Sequence, residues 1–140
     1  MISADHIALT LPLPPSINHQ YATVNNRRVL SAVGRRYKNE VGRQVLVALA
    51  HSAHREALLQ TLRSAYLTLT IRFHFSSPLR RDVDGGLKIT QDALCEALGL
   101  NDSRVFEVHL CKIVGATLPC IEVTLSRTTL TGMPTHDPDL

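Results

Sequence analysis

The sequence predicts an α/β (α+β) fold, a single compact domain in which two main helices pack on a mixed β-sheet. Three observations predict it. Residues 65–75 alternate apolar and polar side chains, as a half-buried strand does. Residues 32–59 and 85–98 carry apolar side chains at helical spacing. A chain of 140 residues is long enough for one hydrophobic core but too short for two. The predicted order is β-(β)-α-β-α-β-β.

The first predicted strand covers residues 6–11, where apolar and polar side chains alternate. The proline-rich run at 12–15 ends it, because proline cannot donate a hydrogen bond to a sheet ladder. Residues 16–31 are polar and irregular. Within them, Asn25-Asn26 is a candidate turn and residues 28–30 form a candidate short strand.

Ser31 is a candidate N-cap for the first long helix, predicted over residues 32–59. One side of this helix is apolar and the other is basic, which indicates a buried face and a solvent-exposed face. The apolar positions include Val41, Val45, Leu49 and Leu58, and the basic ones are Arg35, Arg36, Lys38, Arg43 and Arg55.

Residues 65–75 form the clearest strand, because every second side chain is large and apolar: Leu67, Leu69, Ile71, Phe73 and Phe75. A second helix is predicted over residues 85–98, with Gly99 as its C-cap. Two more strands follow at 105–114 and 120–126, joined by a turn near 115–119.

After residue 126 the sequence loses periodicity and is dominated by Thr, Pro, Gly and Asp. We therefore expect a folded domain over residues 1–126 and a disordered, flexible tail over residues 127–140.

The composition excludes several protein classes. No run of 18 apolar residues is present, so we expect no membrane span, and the N-terminus shows no export signal, which favours the cytoplasm. Three cysteines without CxxC spacing (Cys95, Cys111 and Cys120) are expected to be buried thiols. Aromatic residues are too few for a binder that stacks single-stranded bases.

Charge is distributed unevenly along the chain. Residues 1–81 contain eleven Lys or Arg and three acids, whereas residues 82–140 contain four Lys or Arg and nine acids. A basic half joined to an acidic half is typical of a protein that binds phosphates on one surface and a metal on another. Solvated faces that merely segregate by charge would give the same counts.

Three aspartates carry the predicted chemistry: Asp82, Asp84 and Asp102. If Asp82 and Asp84 lie on extended backbone, their side chains leave the same face; if Asp84 instead caps the second helix, it lies beside the positive end of the helix dipole. Either geometry brings two carboxylates near one cation-sized space. Oxygen-only ligands select hard ions, so the expected cofactor is Mg²⁺, with Mn²⁺ as a substitute. Asp102 joins them only if the chain folds back after the helix.

Basic residues surround these acids. Lys88 is placed to offset negative charge that develops in a transition state, while Arg80 and Arg81 are placed to hold a phosphate beside the metal. Asp92, four residues after Lys88, is a candidate partner for its ammonium group. The alternative is that the acids are ordinary turn and cap residues and that Lys88 forms an exposed ion pair.

Several segments, taken in order, resemble the RusA-type Holliday junction resolvases. The run Leu-Pro-Leu-Pro-Pro-Ser-Ile ending at Asn18 is similar to the opening strand and proline-rich turn of that family. Val29-Leu30-Ser31 and Tyr37 resemble the entry to its first helix. The run Arg-Asp-Val-Asp at 81–84, with Lys88, resembles its acidic motif, and Asp92 and Asn101-Asp102 fall where it places further acids. The similarity spans roughly residues 6–126.

The resemblance implies a divalent-metal phosphodiesterase that resolves four-way (Holliday) junctions in DNA recombination and repair. It implies that Asp82, Asp84 and Asp102 hold the metal, that Lys88 assists, and that the enzyme is a homodimer. Two positions depart from the family pattern: Gly85 replaces the usual asparagine, and Asn101 replaces an acid. Loss of the asparagine side chain is expected to reduce activity.

The expected partner is branched DNA, with no membrane and no small-molecule cofactor. The residues expected to contact DNA are Arg80, Arg81, Arg27, Arg28, Arg35, Arg36, Lys38 and Asn18. Two competing hypotheses remain: a catalytically weakened branched-DNA-binding protein, and an interaction domain whose acids are only turn residues.

Overall fold

We describe residues 1–77 and 82–129 in a computed structural model of the chain. A four-stranded mixed sheet carries helices on one face. The strands of this sheet are β1 (His6–Leu11), β4 (Leu67–Phe75), β5 (Val105–Val114) and β6 (Cys120–Arg127). Strands β2 (Tyr21–Val24) and β3 (Arg27–Leu30) form a separate hairpin. The helices are α1 (Ile17–Gln20), α2 (Ala32–Ala50), α3 (Arg55–Ser64) and α4 (Leu87–Leu98). The predicted fold class is confirmed.

The main sheet has the strand order β1-β6-β4-β5. Strand β4 pairs parallel with β5 and antiparallel with β6, and β6 pairs antiparallel with β1. The predicted strands at 105–114 and 120–126 are present, but they do not form a hairpin, because β4 lies between them. Gly115, with φ of 88°, helps the chain to reverse on its way to the far side of β4.

The polar segment after the proline run is more ordered than predicted. Strands β2 and β3 pair antiparallel as a two-stranded hairpin. Its two turn residues, Asn25 and Asn26, have φ of 52° and 62°. Positive φ at both positions is typical of a type I′ turn, whose twist matches that of the paired strands. The predicted turn is therefore correct, and a strand missing from the prediction precedes it.

The single helix predicted over 32–59 is two helices. Helix α2 begins as predicted, with the Ser31 side chain accepting a hydrogen bond from the Gly34 amide at 3.0 Å. It ends at Ala50, where the amide of His51 bonds to the carbonyls of Val47 and Leu49. Helix α3 then begins at Arg55. The apolar positions of the prediction are buried on both sides of this break.

The core lies between the sheet and the helices. All five odd-numbered residues of β4 are buried, together with Val41, Val45 and Leu49 of α2 and Leu94 and Leu98 of α4. Helix α4 ends as predicted in a left-handed Gly99, with φ of 68°. Burial of these apolar side chains is the main source of stability.

The cysteines and the C-terminal residues differ in part from the predictions. Cys95 is buried as expected, but Cys111 is exposed on β5 and Cys120 is half-buried, so the expectation of three buried thiols is wrong. Strand β6 extends to Arg127, and the predicted tail from residue 130 onward lies outside the described residues. None of the helices described here has the length and apolar character that crossing a bilayer requires.

Candidate functional site

Asp82 and Asp84 lie on a short turn, residues 82–86, which we call the acidic turn. The Gly85 amide donates to the Asp82 carbonyl at 3.2 Å, and the Leu87 amide donates to the Asp84 carbonyl at 3.1 Å. Both aspartates are exposed. Helix α4 starts two residues later than predicted, with Gly86 as its N-cap, so Asp84 neither lies on a strand nor caps the helix.

The acidic turn is anchored by residues far away in the sequence. Nε2 of Gln20 donates to the Gly85 carbonyl at 2.8 Å and to the Pro15 carbonyl at 2.7 Å. A Cβ atom on Gly86 would lie 2.5 Å from Pro14 Cγ and 2.9 Å from Phe73 Cε1, so only glycine fits there. The turn is therefore fixed against the proline-rich segment and the end of β4. Sequence reasoning missed Gln20, since nothing in a polar, aperiodic stretch marks one residue as buried.

Lys88 lies in the first turn of α4, two residues after the acidic turn. Its ammonium group forms a hydrogen-bonded ion pair with Asp92 at 3.2 Å. The hydrogen bond and charge of Asp92 raise the pKa of Lys88, and Tyr21 and Asp102 raise this pKa further. Asp102 lines the same surface depression as Asp92, the ion-pair partner of Lys88, so the chain folds back alongside α4.

Asp102 opens a 3-10 helix at Asp102–Arg104. The Asn101 side chain caps this helix by accepting a hydrogen bond from the Ser103 amide at 3.0 Å. The buried Arg104 fixes its other end, donating from Nε to the Ala65 carbonyl at 3.0 Å. Asn101 thus has a structural role that an aspartate would also perform, because both residues cap helices well.

Cys95 lies on α4 between Asp92 and Asp102. Burial raises the pKa of its thiol to about 11, and the charges of Asp102 and Asp92 add to the increase. A surface depression of about 400 Å³ opens at this position. It is lined by Lys38, Asp92, Cys95, Glu96, Leu100, Asn101 and Asp102. Lys88, Asp92 and Asp102 therefore form one polar surface along α4, and the acidic turn lies at the N-terminal end of that helix.

The candidate ligand atoms are carboxylate oxygens, which hard cations such as Mg²⁺ prefer. The candidate ligands are exposed carboxylates, and among the described residues Lys, Arg and His form no ion pair with Asp82, Asp84 or Asp102. Their positions do not form a finished site. Within residues 1–77 and 82–129, no group of three or more His, Cys, Asp or Glu side chains is assembled closely enough to hold a metal ion.

The residues expected to contact DNA fall in two places. Arg27 and Arg28 are exposed on the hairpin, where the Arg28 guanidinium lies 5.3 Å from the centre of the Tyr21 ring, and Asn18 is exposed on α1. Arg35, Arg36 and Lys38 lie on α2. Arg80 and Arg81 lie outside the described residues.

The basic residues on α2 are not equally available. Arg36 is exposed. Arg35 is also exposed, but it donates to the Leu30 carbonyl at 2.8 Å. Lys38 is paired with Glu96 of α4 at 2.5 Å, which neutralises part of its charge. Gln20, directly before β2, donates to the Gly85 carbonyl, so the hairpin lies next to the acidic turn.

Comparison with known proteins shows the family of the chain. A family model described as "Endodeoxyribonuclease RusA" matches residues 12–126. Crossover junction endodeoxyribonuclease RusA of Escherichia coli K12 and that of Shigella sonnei Ss046 are each 28% identical over 121 residues, which are 86% of this chain and 93% of each relative. The protein of the same name from Enterobacteria phage 82 is 28% identical over 85% of this chain and 92% of its own length. The chain belongs to the RusA family of endodeoxyribonucleases.

Proposed function

We propose that this protein is a magnesium-dependent endonuclease that resolves four-way DNA junctions in recombination and repair. The relatives are named crossover junction endodeoxyribonucleases, which supports the substrate. One structural observation carries the assignment of the site. Asp102 returns alongside α4 to line the same depression as Asp92, which pairs with Lys88 two residues after the acidic turn. Two stretches of the sequence, residues 82–92 and residue 102, thereby contribute charge to one surface.

Asp82, Asp84 and Asp102 are the residues that would hold the metal. A bound Mg²⁺ would polarise the phosphoryl oxygen and lower the pKa of a water molecule. Because the three carboxylates are not assembled in the described residues, we propose that the acidic turn and Asp102 approach each other when the metal binds. Exposed carboxylates on a turn and at the start of a 3-10 helix leave room for such an adjustment.

Lys88 contributes charge rather than a proton acceptor. Its pKa is raised, chiefly by Asp92, so the side chain is fully protonated at neutral pH. A protonated ammonium group beside the scissile phosphate offsets negative charge in the transition state. Asp92 keeps this ammonium on the side of α4 that faces Asp102.

DNA binding would involve the hairpin and the start of α2. Arg27 and Arg28 extend from the hairpin next to Tyr21, and Arg35 and Arg36 are exposed one short connection later. Phosphate contacts of this kind fix the position of the DNA without reading its sequence. We further propose that the enzyme acts as a cytoplasmic homodimer, which would place two such sites symmetrically on one junction.

The test compares wild type with Asp82→Asn on a labelled four-way junction, with and without Mg²⁺. We expect paired nicks from wild type only when Mg²⁺ is present. The variant should bind the junction but not cut it, because it loses a metal ligand and no phosphate contact. Asp5→Asn is the matched control, since it removes one exposed negative charge beside Ser3 and should cut normally. Equal loss of binding and cutting in Asp82→Asn would show that Asp82 is structural.

A second candidate, a branched-DNA-binding protein with weakened catalysis, is favoured by Gly85. A Cβ atom at this position would meet only the Asp82 carbonyl, at an ordinary 3.5 Å, so the fold does not demand glycine there. Gly85→Asn would restore the residue typical of the family. Junction binding by wild type without nicks, together with metal-dependent nicks from Gly85→Asn, would favour this second candidate.

A further inference from the structure

We propose that Gln20 is a positioning residue for the acidic turn, and that its buried carboxamide sets the direction of the Asp82 and Asp84 carboxylates. This inference rests on the proposed function, in which those carboxylates hold the metal. Gln20 is not part of the acidic motif, and it makes no contact that would let it act on a substrate directly.

The side chain of Gln20 is completely buried, and both protons of its amide nitrogen are used. One bond reaches the Pro15 carbonyl at 2.7 Å and the other reaches the Gly85 carbonyl at 2.8 Å. Both partners are carbonyl oxygens, which accept only, so the nitrogen rather than the oxygen of the amide must face them. Gln20 thereby bridges two carbonyls that lie seventy positions apart in the chain.

The carboxylates depend on their backbone for direction. Among the described residues, neither Asp82 nor Asp84 forms an ion pair, and both side chains are exposed. The bond from Gln20 holds the carbonyl of the residue directly after Asp84. Gly86, next in the chain, is wedged between Pro14 and Phe73. The turn is thus held at its C-terminal end from two sides, and Gln20 supplies its only polar attachment among the described residues outside α4.

The remaining polar atom of Gln20 argues against a role in packing alone. Its Oε1 is buried and has no hydrogen-bond partner among the described residues. An unsatisfied buried acceptor is costly, so an apolar side chain of the same size would serve a packing role better. An amide at this position is explained by its two donated bonds.

Gln20 is itself held rigidly. Its main-chain carbonyl accepts a hydrogen bond from the Ser31 amide at 2.9 Å. A Cβ atom on Gly34 would lie 2.6 Å from the same oxygen, so α2 packs directly on this point. Gln20 therefore connects the acidic turn to the base of the hairpin and to the start of α2, where the expected DNA contacts lie.

The experiment replaces Gln20 by methionine, which has a similar shape but donates no hydrogen bond, and by asparagine, which keeps the amide but is one methylene shorter. Ser31→Ala is the matched control. It loses bonds to the Gly34 amide and the His19 carbonyl in the same region but none to the acidic turn. Three properties are measured for each variant: thermal stability, Mn²⁺ affinity by electron paramagnetic resonance without DNA, and amide hydrogen exchange at Gly85 and Leu87.

We expect Gln20→Met to bind Mn²⁺ about tenfold more weakly and to exchange the Gly85 and Leu87 amides faster than wild type. Junction binding should be unchanged, and the Mg²⁺ concentration for half-maximal cutting should rise. Ser31→Ala should lose stability without these effects. If the Gln20 variants lose only stability, as the control does, the inference is wrong. If wild type neither binds Mn²⁺ nor cuts junctions, the proposed function fails, and hydrogen exchange still decides whether Gln20 holds the turn.

Discussion

Gly86→Ala tests whether close packing, rather than loop flexibility, places the acidic turn. The added methyl group would lie 2.5 Å from Pro14 Cγ and 2.9 Å from Phe73 Cε1. Neither neighbour can move easily, because the proline ring is closed and the phenylalanine ring is 2% exposed. The φ of Gly86 is −104°, so backbone strain contributes nothing to the expected effect.

Overpacking of a core site costs about 1–3 kcal/mol. Loss of backbone freedom in the unfolded chain offsets about 0.4–1 kcal/mol of this cost. The net loss of unfolding free energy is therefore about 1–2 kcal/mol. At roughly 4 °C per kcal/mol for a domain of this size, the melting temperature should fall by about 4–8 °C.

Thermal denaturation followed by circular dichroism measures this shift, with two glycine controls. Gly85→Ala meets only the Asp82 carbonyl at 3.5 Å and should leave the melting temperature nearly unchanged. A Cβ atom on Gly42, inside α2, meets nothing within 4 Å, so Gly42→Ala should raise stability by about 0.5–1 kcal/mol. If Gly86→Ala melts at or above the wild-type temperature, the wedge between Pro14 and Phe73 is not what holds the turn.

Four further predictions follow from side-chain environments and from one backbone angle. Burial raises the pKa of Cys95 to about 11, so iodoacetamide at pH 8 should modify the exposed Cys111 and not Cys95 in the native protein, as peptide mass spectrometry would show. The folded state holds the Cys95 proton more tightly than the unfolded state does, so the contribution of Cys95 to the free energy of unfolding is present below about pH 9 and is lost as the pH rises towards 11. If a Cys95→Ala variant loses as much melting temperature at alkaline pH as wild type does, this prediction is wrong. Glu96→Gln should release Lys38 from its 2.5 Å ion pair and steepen the slope of log junction affinity against log salt by about one, whereas an unchanged slope would mean that Lys38 does not reach a phosphate. Asn26→Gly should raise the unfolding free energy by about 0.5 kcal/mol in urea titrations, because φ of 62° suits glycine better than asparagine, and a decrease would argue against the type I′ turn.

The sequence predicts the bounds of an element best where the apolar pattern ends at a proline or a glycine. Strand β1 has the predicted bounds, since alternation marks its length and proline marks its end. Gly99 ends α4 as predicted for the same reason. The break between α2 and α3 was not predicted, because no glycine or proline marks residues 51–54 and Leu58 continues the apolar pattern. Local periodicity does not show which strands pair with β6, because that pairing depends on the tertiary fold.

The site shows the same division. The acidic motif can be recognised from the sequence, whereas the return of Asp102 to the surface beside Asp92 is seen only in the structure. Local spacing correctly suggested the pair between Lys88 and Asp92, four residues apart on one helix. Spacing gave no sign of the partners of Gln20, since its bonds to Pro15 and Gly85 arise only when distant segments pack together.

The position of β6 has a consequence for synthesis of the protein. This strand lies between β1 and β4, and its Ser126 is paired with His6 on one side and with Thr68 on the other. A nascent chain on the ribosome can form α2, α3 and the hairpin early, but β1 has no strand beside it until residues 120–127 emerge. Closing a loop of this length makes folding slow. A chain that terminates before residue 120 would leave β1 detached and one side of β4 open, and we expect it to aggregate rather than fold.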